Sequence, residues 1–152
     1  MKNNNNKIDY SENDILNLLH QSYGPMDCDI AQLSALTLAY IGDAVFEIII
    51  RSLIVEKYRG NVKKMHKKSS SLVNAGSQSL LIKEILPYLS EEERAVYQRG
   101  RNAKSHSVAK NASVADYRRA TGFEALMGYL YLSGNVSRCV ELISEVLDSE
   151  KL

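Results

Sequence analysis

Tryptophan is missing from this 152-residue sequence, and there are only two prolines, two cysteines and eight glycines. So few turn formers leave little room for an all-β plan of many tight turns. Cys28 and Cys139 have no metal-ligand spacing, so free thiols in a reducing compartment are expected. The three histidines, His20, His66 and His106, also lack the spacing of a zinc site. Neither a P-loop nor a GxGxxG run occurs, which removes support for a nucleotide cofactor. Met1 to Lys7 is asparagine-rich with no apolar core, so it predicts neither signal peptide nor membrane anchor. The cytoplasm is the default compartment, with no membrane partner.

Charge of either sign is not in excess: the formal net charge is +1. Its distribution is uneven. Lys57 to Lys68 holds Lys57, Arg59, Lys63, Lys64, Lys67 and Lys68 and no acid. Arg99 to Arg119 adds Arg99, Arg101, Lys104, Lys110, Arg118 and Arg119 against Asp116 alone. Segregation of this kind suits a cationic face for a polyanion, while the plainer reading of each cluster is a solvated helix face.

What the chain does have is helical periodicity, and the fold class it predicts is all-α. The first nine residues are expected to be a disordered tail, with residues 10–152 as one domain. Ser11-Glu12-Asn13-Asp14 opens a first helix with Ile15, Leu18 and Leu19 as its buried stripe, and Gly24-Pro25 ends it. A second helix begins near Asp29 or Ser34 and runs to about Tyr58, almost entirely buried, including Leu36, Tyr40, Ala44, Ile48, Leu53 and Val55. A basic helix follows from about Val62, with Val62, Met65, Leu72 and Val73 inward. Gly76 bends it, and it continues from Gln78 to Pro87. Ser90-Glu91-Glu92-Glu93 reads as a capping box opening a helix that holds Val96 and Tyr97 inside. Lys104 to Ala115 has no periodicity and is expected to be a mobile loop. Asp116 starts the next helix, which Ser133-Gly134-Asn135 ends. A last amphipathic helix carries Val136, Val140, Leu142, Ile143, Val146 and Leu147.

Two carboxylates stand in apolar company: Asp43 within Leu38 to Phe46, and Glu124 within Gly122 to Gly128. An ionised acid in such surroundings is costly unless it is paired or binds a cation. A divalent metal between two helices would satisfy both, and Mg²⁺, which keeps several waters, needs few carboxylates. Other readings stay open at this level. Asp43 after Gly42 fits a helix cap, and Glu124 fits a pair with Arg118 or Arg119. Glu47 reads first as the acid of a Glu47–Arg51 helix pair and second as a metal-site auxiliary.

The segment Leu38-Ala39-Tyr40-Ile41-Gly42-Asp43-Ala44-Val45-Phe46-Glu47 resembles the signature helix of the ribonuclease III family. Phe123-Glu124-Ala125-Leu126-Met127-Gly128-Tyr129-Leu130-Tyr131-Leu132 resembles that family's second acidic helix. His66-Lys67-Lys68-Ser69-Ser70 and Arg99-Gly100-Arg101-Asn102-Ala103-Lys104-Ser105 are similar to the short bacterial group called Mini-ribonuclease III. Leu36, Ala39 and Thr121 stand where longer members carry acids, and the Mini group shares this. The resemblance implies an all-helical endonuclease domain that dimerises through its signature helices, with Tyr40 packing across the dimer axis. It also implies Mg²⁺-dependent cleavage of double-stranded RNA to 5′-phosphate and 3′-hydroxyl ends, with Asp43 and Glu124 as metal ligands. The substrate it points to is the precursor of large-subunit (23S) ribosomal RNA.

The sequence ends at Leu152 without a separate double-stranded RNA-binding domain, so the catalytic domain itself is expected to hold the duplex. Duplex RNA is read mainly through shape, phosphates and 2′-hydroxyls. Lys67, Lys68, Arg99, Arg101 and Lys104 are the expected phosphate contacts, with Asn102 a sugar or base-edge donor and Lys110 on a loop that closes over RNA. Tyr97, Tyr129 and Tyr131 are expected in the core rather than as stacking platforms. Two rivals remain: a catalytically silent RNA-binding or assembly module of the same fold, and a helical protein–protein adaptor.

Overall fold

The computed structural model describes residues 14–104 and 113–152. Among them are seven α-helices and no strand: α1 (Ile15–Tyr23), α2 (Ala35–Lys57), α3 (Val62–Val73), α4 (Ala75–Ile85), α5 (Glu91–Asn102), α6 (Val114–Leu132) and α7 (Val136–Val146). Short 3₁₀ turns at Ile30–Gln32, Leu86–Tyr88 and Ser149–Lys151 complete them. The expected tail at 1–9, the start of the first helix before Asp14, and the loop positions carrying His106 and Lys110 lie outside the described residues.

Local chemistry sets the helix ends. Ser34 caps α2, its Oγ accepting from the Thr37 amide at 3.1 Å. Asp29 caps only the preceding 3₁₀ turn, so both expected start signals are used, by different elements. Ser90 and Glu93 form the capping box in full, with Ser90 N donating to Glu93 Oε2 at 2.9 Å and Glu93 N to Ser90 Oγ at 3.2 Å. At the end of α6, Gly134 takes φ +75°, and Asn135 N returns to the Leu130 carbonyl at 2.8 Å. Glycine adopts that backbone at little cost.

The helix α6 is the axis of the molecule. Ala120 to Phe123, Ala125 to Gly128 and Leu130 are all buried, and α2, α4, α5 and α7 pack around it. Helices can approach so closely only where side chains are missing. A Cβ on Gly42 of α2 would lie 1.6 Å from the Glu124 carbonyl oxygen of α6, and one on Gly128 would lie 1.9 Å from the Leu38 carbonyl. Where α5 meets α6, a Cβ on Gly100 would lie 2.8 Å from Gly122 Cα. Beside these crossings Phe46 meets Phe123 edge-to-face, ring centroids 4.9 Å apart. Burying each such ring contributes about 1.5–3 kcal/mol.

The structure corrects several expectations. Ile15, Leu18 and Leu19 do not form a buried stripe: α1 buries no residue. Only one face of α2 is covered, through Leu38, Ala39, Gly42, Val45, Phe46, Ile50 and Ile54, while Leu36, Tyr40, Ala44, Ile48, Leu53 and Val55 are exposed. Apolar content alone cannot say which face finds a partner within one chain. The chain breaks at Asn74 and does not merely bend at Gly76. Asn74 adopts ψ 160°, its Nδ2 donates to the Ser70 and Ser71 carbonyls (both 3.1 Å), and its Oδ1 accepts from Ser77 N at 2.9 Å. One asparagine thus ends α3 and starts α4. Val62 is exposed, as are Val136 and Val140, and Cys139 takes the buried place on α7. The helix α6 begins at Val114 behind Ser113, whose Oγ accepts from Asp116 N at 3.0 Å. No helix among the described residues is long and apolar enough to cross a membrane.

Candidate active site and nucleic-acid interface

The Gly42–Glu124 crossing decides where the two singled-out acids meet. With the Gly42 backbone against the Glu124 backbone, Asp43 and Glu124 extend from adjoining points of α2 and α6. The helix α2 runs unbroken through Asp43, so this residue is no helix cap. Asp43 is exposed as a residue, yet its carboxyl is partly desolvated by the helices around it, and that burial raises its pKa, with Glu47 raising it further. Glu124 is half-buried, and its pKa is pushed up to about 7, first by desolvation and then by the charge of Asp43. The charge of Asp43 resists ionisation of Glu124.

Among the described residues, neither acid has a cationic partner in an ion pair. Arg119, a sequence-level partner for Glu124, turns away: its Nε donates to Ser79 Oγ at 3.1 Å, and Ser79 Oγ donates to Asp116 Oδ1 at 2.7 Å. Those contacts, led by the Ser79 bond, lower the Asp116 pKa. Glu47 is the acid of an i,i+4 pair, accepting from Arg51 Nε at 2.9 Å. The Gln78 side chain of α4, whose Nε2 donates to the Val73 carbonyl at 3.1 Å, lies near enough to Glu124 to lower its pKa against those two effects.

A divalent cation fits this donor set. Two neighbouring carboxylates, one held near a pKa of about 7 by burial and by the other's charge, lack the positive charge that would reverse both shifts. Among the described residues no group of three or more His, Cys, Asp and Glu is placed to hold a metal. Two carboxylates alone would make a sparse oxygen site, of the kind suited to an ion that keeps much of its water.

The expected phosphate contacts fall into two grooves. Lys67 and Lys68 of α3 line one of about 260 Å³ with Lys64, Ser71 and Tyr58. Arg101 lines another of about 290 Å³ with Lys83, Arg94, Arg119, Gln98 and Tyr97. Arg94 is anchored there by donating Nη2 to the Leu86 carbonyl at 2.8 Å. Arg99, Asn102 and Lys104 are exposed but do not line the Arg101 groove. Tyr97 is buried and Tyr129 and Tyr131 are partly buried against the core, as expected. Tyr40 is 82% exposed on the uncovered face of α2.

Sequence reasoning missed Gln78, Lys83 and Arg94. For Gln78 a signal existed: with Ile82 and Ile85 it forms an i, i+4, i+7 stripe, so a polar residue occupies a core position. Lys83 and Arg94 carry no such signal, because tertiary packing alone brings them beside Arg101.

Comparison with known proteins gives the family. A family model described as the ribonuclease III domain matches residues 36–135. The chain is 51% identical over 121 residues to a Mini-ribonuclease 3 of Clostridium tetani, covering 79% of this chain and 80% of that protein. It is 48% identical over 118 residues to a Mini-ribonuclease 3 of Enterococcus faecalis, covering 76% and 89%. The crystal structure of a Fusobacterium nucleatum protein, 33% identical, superimposes with a TM-score of 0.72 over 80% of this chain and 98% of that one. An all-helical endoribonuclease is thus the class of protein at hand. The chain belongs to the ribonuclease III family, and within it to the Mini-ribonuclease III group.

Proposed function

We propose that this endoribonuclease cuts double-stranded RNA in a Mg²⁺-dependent reaction, acting as a homodimer, and that its substrate is the precursor of 23S ribosomal RNA in the cytoplasm. The observation that carries the reading is the meeting of Asp43 and Glu124 without a counter-charge. Asp43 and Glu124 would hold the ion, which when bound stabilises charge on the phosphodiester and makes water a better nucleophile. Asp43, exposed at the edge of the site, presents its carboxylate to incoming ligands. Glu124 is fixed deeper by the α2–α6 crossing. Hydrolysis at phosphorus on the 3′-oxygen side leaves a 5′-phosphate and a 3′-hydroxyl.

Lys67 and Lys68 in one groove and Arg101 in the other would neutralise phosphates of the duplex, with Arg99, Asn102 and Lys104 at the rim. Lys110 belongs to the same proposal by sequence alone. The uncovered face of α2, with Leu36, Tyr40, Ala44 and Ile48 at four-residue intervals, supports pairing of two copies through this helix. It continues into an apolar cavity of about 400 Å³ between α2 and α7. Two centres in such a dimer would serve two strands.

The test is to incubate the protein with duplex RNA and with 23S precursor, with and without Mg²⁺, and to map the new ends. Cleavage that ignores Mg²⁺, or none at all, would defeat the reading. Lys68→Glu and Arg101→Glu are expected to flatten the salt dependence of duplex binding by roughly 0.7–0.9 in log–log slope for each phosphate no longer neutralised. An unchanged slope removes those residues from the interface.

A further inference from the structure

Four cations drawn from three helices meet in the groove of about 290 Å³ that Arg101 lines: Lys83 of α4, Arg94 and Arg101 of α5, and Arg119 of α6. No acid lines it. Among the described residues, none of the four stands in an ion pair. Asp116 is the acid whose charge reaches Arg119 and Lys83, but its Oδ1 accepts from Ser79 Oγ at 2.7 Å and it is not part of the groove wall. Like charges gathered in this way repel. An arginine with a structural task in this protein looks different: Arg138 is tied to both Glu93 and Glu141.

Two of the guanidiniums are held in place before any ligand arrives. Arg94 Nη2 donates to the Leu86 carbonyl at 2.8 Å, and Arg119 Nε donates to Ser79 Oγ at 3.1 Å. Each bond engages one nitrogen of a planar fork that carries several N–H groups, and such forks fit phosphate oxygens in pairs. On α5, Arg94, Tyr97, Gln98 and Arg101 follow the i, i+3, i+4, i+7 spacing of one helix face. Arg94 and Arg101 therefore lie about 10 Å apart along the helix, roughly the rise of three nucleotides on one strand of a duplex. Tyr97, the aromatic of this groove, is buried with its ring against Gly122, so it offers no stacking surface to a base. We infer that the groove is a backbone-reading seat of the RNA interface: Lys83, Arg94 and Arg119 join Arg101 to hold successive phosphates of one strand, whatever their bases. This rests on the proposed binding of duplex RNA.

The experiment measures binding of two duplex RNAs of unrelated sequence to the full chain across a range of salt, without divalent metal, and steady-state cleavage with Mg²⁺. Inorganic pyrophosphate is titrated alongside as a free anion. Wild type is compared with Lys83→Gln, Arg94→Gln and Lys63→Gln, the last an exposed lysine of α3 that lines neither groove. Each groove variant is expected to raise Kd and KM about fivefold for both duplexes, to lower the log–log salt slope by roughly 0.7–0.9, and to leave kcat unchanged. Lys63→Gln removes the same charge and is expected to match wild type. Wild-type slopes in both groove variants overturn the inference while leaving duplex binding through Lys68 and Arg101 intact. A loss confined to one sequence, or shared equally by Lys63→Gln, also overturns it. So does pyrophosphate binding that needs Arg94 while duplex affinity does not, which would mark a site for a free anion. If Arg94→Gln fails to fold, Lys83→Gln, whose side chain is exposed, decides alone. If wild type binds no duplex at low salt, the proposed function fails and the inference falls with it.

Discussion

Glu93 and Glu124 are both glutamates drawn largely out of water, and they live in opposite electrostatic worlds. Glu93, at the start of α5, accepts from Arg138 Nε at 2.8 Å and Nη2 at 3.1 Å, and from its own cap at Ser90. The Arg138 bond, helped by Ser90, holds its pKa below the usual carboxylate range despite burial. Glu124 has burial without an arginine and another acid for a neighbour, and its pKa rises to about 7. The same residue type thus closes one helix junction with an ion pair and stands at another with none. Arg138 also donates to the Tyr88 carbonyl at 2.8 Å, so the Glu93 junction ties α7 to the start of α5 and is self-sufficient. Under the proposed function, a divalent cation would complete the Glu124 junction.

The sharpest way to break this contrast is Asp43→Asn. Cleavage of duplex RNA should fall about a thousandfold, the equivalent of several kcal/mol of transition-state stabilisation. Stability without metal should hold or rise, because a repulsive charge has gone. A variant that unfolds, or that cleaves normally, contradicts the account of Asp43.

Gly42→Ala should come next in size. Its Cβ meets backbone and not a yielding side chain, so α2 and α6 must separate, at a cost of about 4 kcal/mol and with loss of activity in whatever folds. Gly76→Ala is the control: its Cβ meets only the Asn74 Oδ1, at 3.4 Å, and within α4 it should stabilise by about 0.5–1 kcal/mol. Equal melting temperatures for the two alanine variants would show that the crossing is not tight.

The two glutamates should also pull stability in opposite directions with pH. Glu124 binds its proton more tightly folded than unfolded, so the metal-free protein loses stability as pH rises from about 4.5 to about 7, by at most about 3 kcal/mol. Below 4.5 both states are protonated and the cost vanishes. Glu93 has a lowered pKa, so its contribution is complete above 4.5 and is lost as pH falls through the folded value. Thermal unfolding from pH 3 to 8 should show both limbs. Glu124→Gln should reduce the upper limb to the part that the raised pKa of Asp43 contributes, and saturating Mg²⁺ should flatten it. An upper limb undiminished by Glu124→Gln assigns it elsewhere.

Smallest of these is Glu93→Gln. It keeps the volume and weakens the bonds to Arg138, costing about 2 kcal/mol, less than a fully buried pair because Arg138 reaches solvent. Cleavage per folded molecule should be unchanged. Lost activity at full folding would erase the distinction between the two junctions.

Along the chain, local chemistry was legible and packing was not. The Ser90 box, the Gly134 stop and the helical class follow from side chains meeting backbone within four residues, so they could be read off the order of residues. Asp43 and Glu124 stood out because ionisable groups in apolar runs are costly wherever the chain goes. Asn74 as a double cap was missed because a glycine two residues later looked like the weaker point. The exposed face of α2 was misjudged because periodicity identifies an apolar stripe but not what covers it.

By itself, the order of residues determined the helical class, several of the caps and two acids in need of a partner, since those depend on interactions a few residues long. Tertiary structure alone decided that Gly42 would let α2 touch α6 and that Glu124 would face Asp43 and not Arg119. It also set Lys83 and Arg94 beside Arg101. Such meetings depend on the angle and closeness of helices far apart in the chain, and no local pattern encodes them.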